Sequence, residues 1–303
     1  MITIGSLLEM NHSVEASLAQ AQQIKDAGYA SAWATQIFDN DALTLVGILS
    51  SHIDDLRFGT AVIPVYPRHP QVMAQQALTI QSASHNRLTL GIGLSHQIVV
   101  ESLWGYSYDR PARYMREYLE ALMPMLRGEA AMVPGEVITA ITAGPLDIPG
   151  TQPPTVLVAA LAPTMLKLAG TMADGTVTWM TGISTIASHI APKIREAAEA
   201  AGRPTPKIAV SLPVCLTDNV EAANDTIDEA FSIYPNLPSY RAMLDIEGVE
   251  KASGIGLVGS KEQIIDGLGR LEAAGATEFV AAPSGNSAER HATFDFLAEL
   301  ARS

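Results

Sequence analysis

Three runs of strand-like sequence end in residues that can do chemistry. Arg87-Leu-Thr-Leu-Gly-Ile-Gly93 closes on two glycines and is followed by Ser95 and His96. An imidazole three residues past such a strand can give or take a proton near neutral pH; equally, it can be an exposed loop histidine. Phe58-Gly-Thr-Ala-Val-Ile-Pro64 runs into Arg68-His69-Pro70, where the arginine can clamp an anion or pair with an acidic neighbour. The strand before Gln36 ends in Trp33-Ala-Thr, and the Gln36 amide can both donate to and accept from a ring edge or carbonyl, or cap a loop.

A fourth run, Pro154-Thr-Val-Leu-Val-Ala-Ala-Leu-Ala-Pro163-Thr164, passes through small residues into a helix with proline in its first turn. Amides at such a start can bind phosphate, with Lys167 one turn in; an ordinary strand-to-helix junction reads the same. The two glycines before Ser95 are weak evidence for a dinucleotide fold, since the third glycine of that fingerprint is missing. There is no Walker loop, nucleophile elbow or His-Glu-Xaa-Xaa-His run, and with Cys215 as the sole cysteine no zinc–thiolate site is expected.

These runs need a scaffold that brings several strand ends together. Strand-like and helix-like segments alternate through the chain, the pattern of βα units around a parallel sheet. Strands are expected near Ile2–Leu7, Ser31–Thr35, Arg57–Ile63, Leu88–Ile92, Thr155–Ala159, Thr176–Thr178, Ile208–Leu216 and Glu278–Ala281. Between them, Ser13 caps a helix that Gly28 ends, and further helices are expected over Asp41–Ile53, Pro70–Ser84, Pro111–Leu126, from Ser184 to Gly202, over Lys261–Ala274 and from about Ala288. One (β/α)8 TIM barrel over 1–303, with insertions, fits this count; an open doubly wound sheet is the rival. The stretches 128–154 and 234–259, rich in proline and glycine, break the alternation and are expected as excursions near the barrel mouth, the second as a lid.

Composition narrows the partners. With 48% hydrophobic residues the 303-residue chain can bury a large core, and its net charge of −13 argues against nucleic acid. Ile2–Leu8 is too short and polar for a leader, and no apolar stretch is long enough for a membrane span, so a cytoplasmic protein is expected. In an acidic protein an anionic ligand must be held by local donors and helix starts.

In order and spacing, the chain resembles the bacterial luciferase-like oxidoreductase superfamily, in its branch that uses the deazaflavin coenzyme F420. The likeness runs from Ala27-Gly28-Tyr29 through Gly59–Pro64, Arg68-His69-Pro70, Arg87–Gly93, Val158–Pro163, Ala169-Gly170 and Ala173-Asp174-Gly175 to Gly259, Ala274-Gly275 and Glu278-Phe279-Val280. It implies a non-proline cis peptide at Ala61–Val62 backing the deazaflavin, and a phosphate near Ala159–Ala162 and Thr164. The cofactor-binding set it implies is Gln36, Ala61, Val62, Gly93, Ser95, His96, Ala159, Ala160, Leu161, Ala162, Thr164 and Gly175, with Arg68 and Trp179 toward substrate and no metal.

Departures from the family pattern shape the expected chemistry. The deazaflavin-dependent dehydrogenases carry an Asp-His pair where this chain has Gln36-Ile37, and their carboxylic acid after strand four aligns with His96. The early acidic residue of the methanopterin reductases aligns near Leu7, with Glu9 close by. The resemblance therefore implies reduction: hydride from C5 of the reduced deazaflavin to an activated C=C, C=N or C=O of a small molecule, with His96 as proton donor. Its alternatives are an FMN-dependent monooxygenase, a non-catalytic flavin or deazaflavin carrier, and an open-sheet nicotinamide dehydrogenase. A homodimer is expected, as is common in the superfamily.

Overall fold

Eight parallel strands close on themselves in the computed structural model, which describes residues 2–10 and 12–303. They are β1 (Thr3–Leu7), β2 (Ser31–Ala34), β3 (Arg57–Thr60), β4 (Leu88–Gly93), β5 (Thr155–Val158), β6 (Gly175–Trp179), β7 (Lys207–Leu216) and β8 (Glu278–Pro283). Each pairs with the next in sequence, and β8 pairs with β1 to close the ring. This is the TIM barrel, and the open sheet is excluded. The helices are α1 (Val14–Asp26), α2 (Ala42–His52), α3 (Pro70–Ala83), α4 (Pro111–Leu126), α5 (Pro163–Met172), α6 (Ala191–Ala200), α7 (Val220–Ala230), α8 (Pro238–Glu247), α9 (Lys261–Ala274) and α10 (Ser287–Ala301).

Alternation along the strands explains both layers. On β4, buried Leu88, Leu90 and Ile92 belong to the large core that the helices cover, while Gly91 and Gly93 alternate with them toward the lumen. Trp33, Leu157, Val177, Ala209 and Val280 form a separate cluster inside the barrel. The indole of Trp33 fits because Gly59 faces it; a Cβ there would lie 2.3 Å from the ring. Below it, Trp33 Nε1 donates to Ser31 Oγ at 2.8 Å and to Glu278 Oε1 at 3.2 Å. Arg57 lies 3.8 Å from the same carboxylate, which gives this half-buried acid a countercharge.

Strand three is not the continuous run that the sequence suggests. Gly59 pairs with Thr89 and Ile63 with Ile92, so four steps on one strand match three on the other, a bulge. The Ala61–Val62 peptide within it is cis. Thr60 repairs the ladder with its side chain: its Oγ1 accepts from Gly91 N and donates to Gly91 O, both at 2.9 Å. A short second segment, Ile63–Pro64, then rejoins β4.

The two excursions differ in position. The stretch 128–154 holds an antiparallel hairpin, Met132–Pro134 with Thr139–Ile141. Its far end bonds Gln81 and Asn86, beside the amino end of β4, and the hairpin turn packs on α4, where Glu117 accepts the amides of Glu136, Val137 and Ile138. At its other end Thr139 offers its carbonyl to His69 Nε2 at 2.9 Å, at the start of α3. The stretch 234–259 contains α8 and a short strand, Leu257–Gly259, that pairs with β7. Its loop-forming prolines read differently in three dimensions, because Pro238 starts α8 at a position where a missing N–H costs nothing.

Candidate active site at the barrel mouth

The carboxyl ends of β3, β4 and β5 form an apolar floor. Ala61 and Val62 are partly exposed there, packed on the lumen cluster with Leu7. Gly93 lies between them and Ala159: a Cβ on Gly93 would come within 2.7 Å of Val62 Cγ2 and 3.2 Å of Ala159 Cβ. Small residues thus let a flat ligand approach the backbone of three strands.

Next to this floor α5 begins without a side-chain cap. Its N-cap is Ala162, and Ala162 and Thr164 are exposed, so the first-turn amides have no side-chain acceptor. The loop before it, through buried Ala160 and half-buried Leu161, is held from behind: His189 Nε2 bonds the Leu161 carbonyl at 2.7 Å, and Lys193 Nζ lies 3.2 Å from His189 Nδ1. A flat ring on the floor and an anion at the helix start would be neighbours. Those are the two parts of a flavin- or deazaflavin-type cofactor, and the residues fit such a group.

On the other side of the floor the chain turns sharply at Ser95, whose φ is 64°. Positive φ at a non-glycine residue is uncommon and recurs at ligand sites. The Ser95 carbonyl accepts from the Tyr108 hydroxyl at 3.3 Å. His96 follows, half-buried, with its backbone carbonyl taken by the amides of Val99 and Val100 in a π-helical turn. Among the described residues its imidazole makes no hydrogen bond; burial pushes its pKa below the usual 6.5. Its neighbour is Tyr240 of α8, with ring centres 5.7 Å apart.

The roof is aromatic. Trp179, at the end of β6, meets Phe231 and Tyr234 edge to face, and Tyr234 meets Tyr240 in the same way at 4.9 Å. Glu247, at the end of α8, ties this roof to the loop after β6 by accepting from Ser184 N, Thr185 N and Thr185 Oγ1.

Several residues singled out from sequence have other work. Gln36 Oε1 accepts from Ala42 N at 3.3 Å, which caps α2, and from Arg68 at 3.4 Å. Arg68 is largely buried and ion-paired with Asp41, the N-cap of α2. That pairing occupies the guanidinium proposed to clamp a substrate. Gly175 opens β6, in register with Leu157 and Lys207, four residues before Trp179. At about 3.3 Å per residue it lies some 7 Å below the level of Ala159. It is glycine because a Cβ would sit 1.9 Å from the Lys207 carbonyl oxygen.

Tyr234 and Tyr240 were missed among the candidates, as were Tyr66, Tyr106, Tyr108 and Tyr114. The latter four gather beyond Ser95 and line or adjoin a cavity of about 290 Å3. The close pair Tyr106 and Tyr108, following a strand end, was the available signal. Among the described residues no cluster could hold a metal ion, and no helix is long and apolar enough to cross a membrane.

A model of the family described as luciferase-like monooxygenase matches residues 3–278. A 5,10-methylenetetrahydromethanopterin reductase of Methanolobus tindarius is 27% identical over 67% of this chain and 61% of its own. Among solved structures, the coenzyme F420 dependent tetrahydromethanopterin reductase of Methanopyrus kandleri superposes with a TM-score of 0.82 at 17% identity, covering 98% of this chain and 97% of that one. The FMN complex of the oxygenating constituent of 3,6-diketocamphane monooxygenase of Pseudomonas putida reaches 0.75, also at 17% identity, over 98% and 97%. At those identities the structures speak for the fold alone.

Proposed function

The chain belongs to the luciferase-like monooxygenase family, and on that premise we propose that it is a coenzyme F420-dependent reductase acting on a small organic acceptor. The observation that carries the reading is the juxtaposition of a small-residue floor at Ala61–Val62, Gly93 and Ala159 with the uncapped start of α5 on one side and the unpaired imidazole of His96 on the other. The relative from Methanolobus tindarius, named as a reductase of a methylene-carrying pterin, supports hydride chemistry over oxygenation.

When bound, the reduced deazaflavin supplies a hydride at C5. The chain does the rest. Amides at Ala162 and Thr164 hold the phosphate of the cofactor, which reconciles an anionic ligand with a net charge of −13. Ala61, Val62, Gly93 and Ala159 back its ring. Trp179, Tyr234 and Tyr240 exclude water above the acceptor, so that protons come from one place. His96 delivers that proton from its ring nitrogen to the atom of the acceptor left anionic by hydride. Its depressed pKa makes the imidazolium a stronger acid than free histidine.

The test is a fluorescence-quenching titration of the purified protein with coenzyme F420 and, separately, FMN, at fixed ionic strength. Selective micromolar or tighter binding of F420 is expected. Preference for FMN would move the protein to the monooxygenase reading, which calls for oxygen consumption with reduced flavin. Binding of neither would end both.

A further inference from the structure

We propose that the tyrosine-walled cavity beyond Ser95 binds a compact, flat, uncharged ring compound bearing carbonyl oxygens, a quinone or cyclic enone. The cavity holds about 290 Å3 and is lined by Tyr66, Tyr106, Ser107, Asp109, Arg110 and Tyr114 among others. Such a volume is at the small end of the ~300–1,000 Å3 typical of small-molecule sites. Tyr66 stacks on Tyr114, with centres 4.1 Å apart and planes 18° from parallel, and on Tyr108 at 5.7 Å and 29°. Aromatic walls of this kind favour a flat ring as occupant.

Hydrogen bonding specifies the oxygens. Among the described residues the hydroxyls of Tyr66, Tyr106 and Tyr114 bond no protein group, whereas those of Tyr108 and Tyr118 donate to the carbonyls of Ser95 and Arg68. Burial pushes the phenols of Tyr66 and Tyr114 up, the latter to about 12, so they remain donors at any physiological pH. Donors without acceptors in a cavity wall call for a ligand rich in acceptors.

Charge specifies neutrality. Arg110 and Arg113 both pair with Glu136, and Asp109 accepts from Ser107 Oγ at 2.6 Å. These two arginines and two carboxylates sum to zero formal charge, so the wall offers no net field to a cation or an anion and matches a neutral carbonyl compound. Tyr108 stands between this cavity and His96, touching Tyr66 on one side and the Ser95 carbonyl on the other. Identifying the occupant as the hydride acceptor rests on the reductase reading above; its binding does not.

Calorimetric titration of the cofactor-free protein with menadione, a two-ring quinone, tests the proposal. Saturable binding is expected, weakened roughly tenfold in the double variant Tyr66→Phe, Tyr114→Phe, which keeps the stack and removes two donors. The carbonyl-free 2-methylnaphthalene should bind more weakly than menadione and be indifferent to that change. No saturable binding, menadione affinity unchanged in the double variant with its thermal unfolding intact, or tighter binding of phenyltrimethylammonium would each overturn it. Coenzyme F420 titration of the same sample separates this failure from failure of the cofactor assignment.

Discussion

The ring of Tyr240 lies 5.7 Å from the imidazole of His96, tilted 53° to it, and so joins the loop after β4 to a helix encoded far downstream. Burial raises the Tyr240 phenol and lowers the His96 imidazole, so in each ring it favours the neutral form. On the reductase reading, the roof and the proposed proton donor are in direct ring contact.

Replacing His96 by alanine should lower reductive turnover by roughly 10²–10⁴-fold, the usual worth of a general acid, while F420 affinity stays within a factor of two or so. The wild-type rate should carry a titration that the variant lacks. The pKa is below 6.5, and the donor is the protonated form, so reduction accelerates as pH falls from 8 toward and through that pKa. Oxidation of the product, where His96 accepts the proton, should fall over the same range. A pH–rate profile with its inflection above 7, or one unaltered in the variant, would remove His96 from the proton transfer. The same shift links to stability: the unfolded chain takes up this proton first, so His96 contributes a loss of stability as pH falls from about 6.5 through the folded pKa.

Glu247 is a second point of control. It supplies the cap that Gly182 cannot, accepting three hydrogen bonds from Ser184 and Thr185, two of them at 2.7 Å. Glu247→Ala should destabilise the roof by about 1–2 kcal/mol. Faster hydrogen exchange over 234–247 and a red-shifted Trp179 emission are the expected signs, with KM for the acceptor rising more than kcat falls. Unaltered exchange across α8 would mean that packing of Tyr234 and Tyr240, not this cap, holds the roof shut.

Gly93 tests the floor. In Gly93→Ala the new methyl must displace Val62, 2.7 Å away, or Ala159, 3.2 Å away. Overpacking of this kind costs typically ~1–3 kcal/mol. A lower Tm together with F420 binding at least several-fold weaker is the expected pair of results; lower stability with unchanged cofactor affinity would take Gly93 out of the floor.

The barrel could be read in the sequence because its strands alternate apolar residues with glycines at lumen positions such as Gly59 and Gly91, and because the Ser13 cap and the first-turn Pro70 mark helix starts by local chemistry. The elements that close the mouth were less legible. The α8 helix begins at a proline inside a stretch that looked like loop, and its reason for being helical is tertiary, with Met243 and Leu244 buried and Glu247 reaching across to Thr185. Arg68 and Gln36 looked available because sequence does not reveal that Asp41 and Ala42 come within hydrogen-bonding reach of both. Gly175 shows the converse, a glycine whose structural cause, the close Lys207 carbonyl, cannot be seen in a motif.

His189 ties the helical turn after β6 to the loop before α5, which on the proposed reading holds the cofactor's phosphate. The ammonium of Lys193 donates to its Nδ1, which leaves the proton on Nε2, and Nε2–H donates to the Leu161 carbonyl. Removing that donor in His189→Ala frees a loop whose neighbours Ala160 and Ala162 have no polar side chain to hold it. F420 affinity should fall about tenfold, the worth of one well-made hydrogen bond plus the ordering it secures, while kcat at saturating cofactor stays near wild type because His96 lies on the opposite side of the floor. His189→Gln, which can restore an N–H toward Leu161, should recover part of the affinity. Equal losses in both variants would mean that the ring's volume matters and its hydrogen bond does not; a fall in kcat with affinity intact would place His189 in the chemistry instead of the loop.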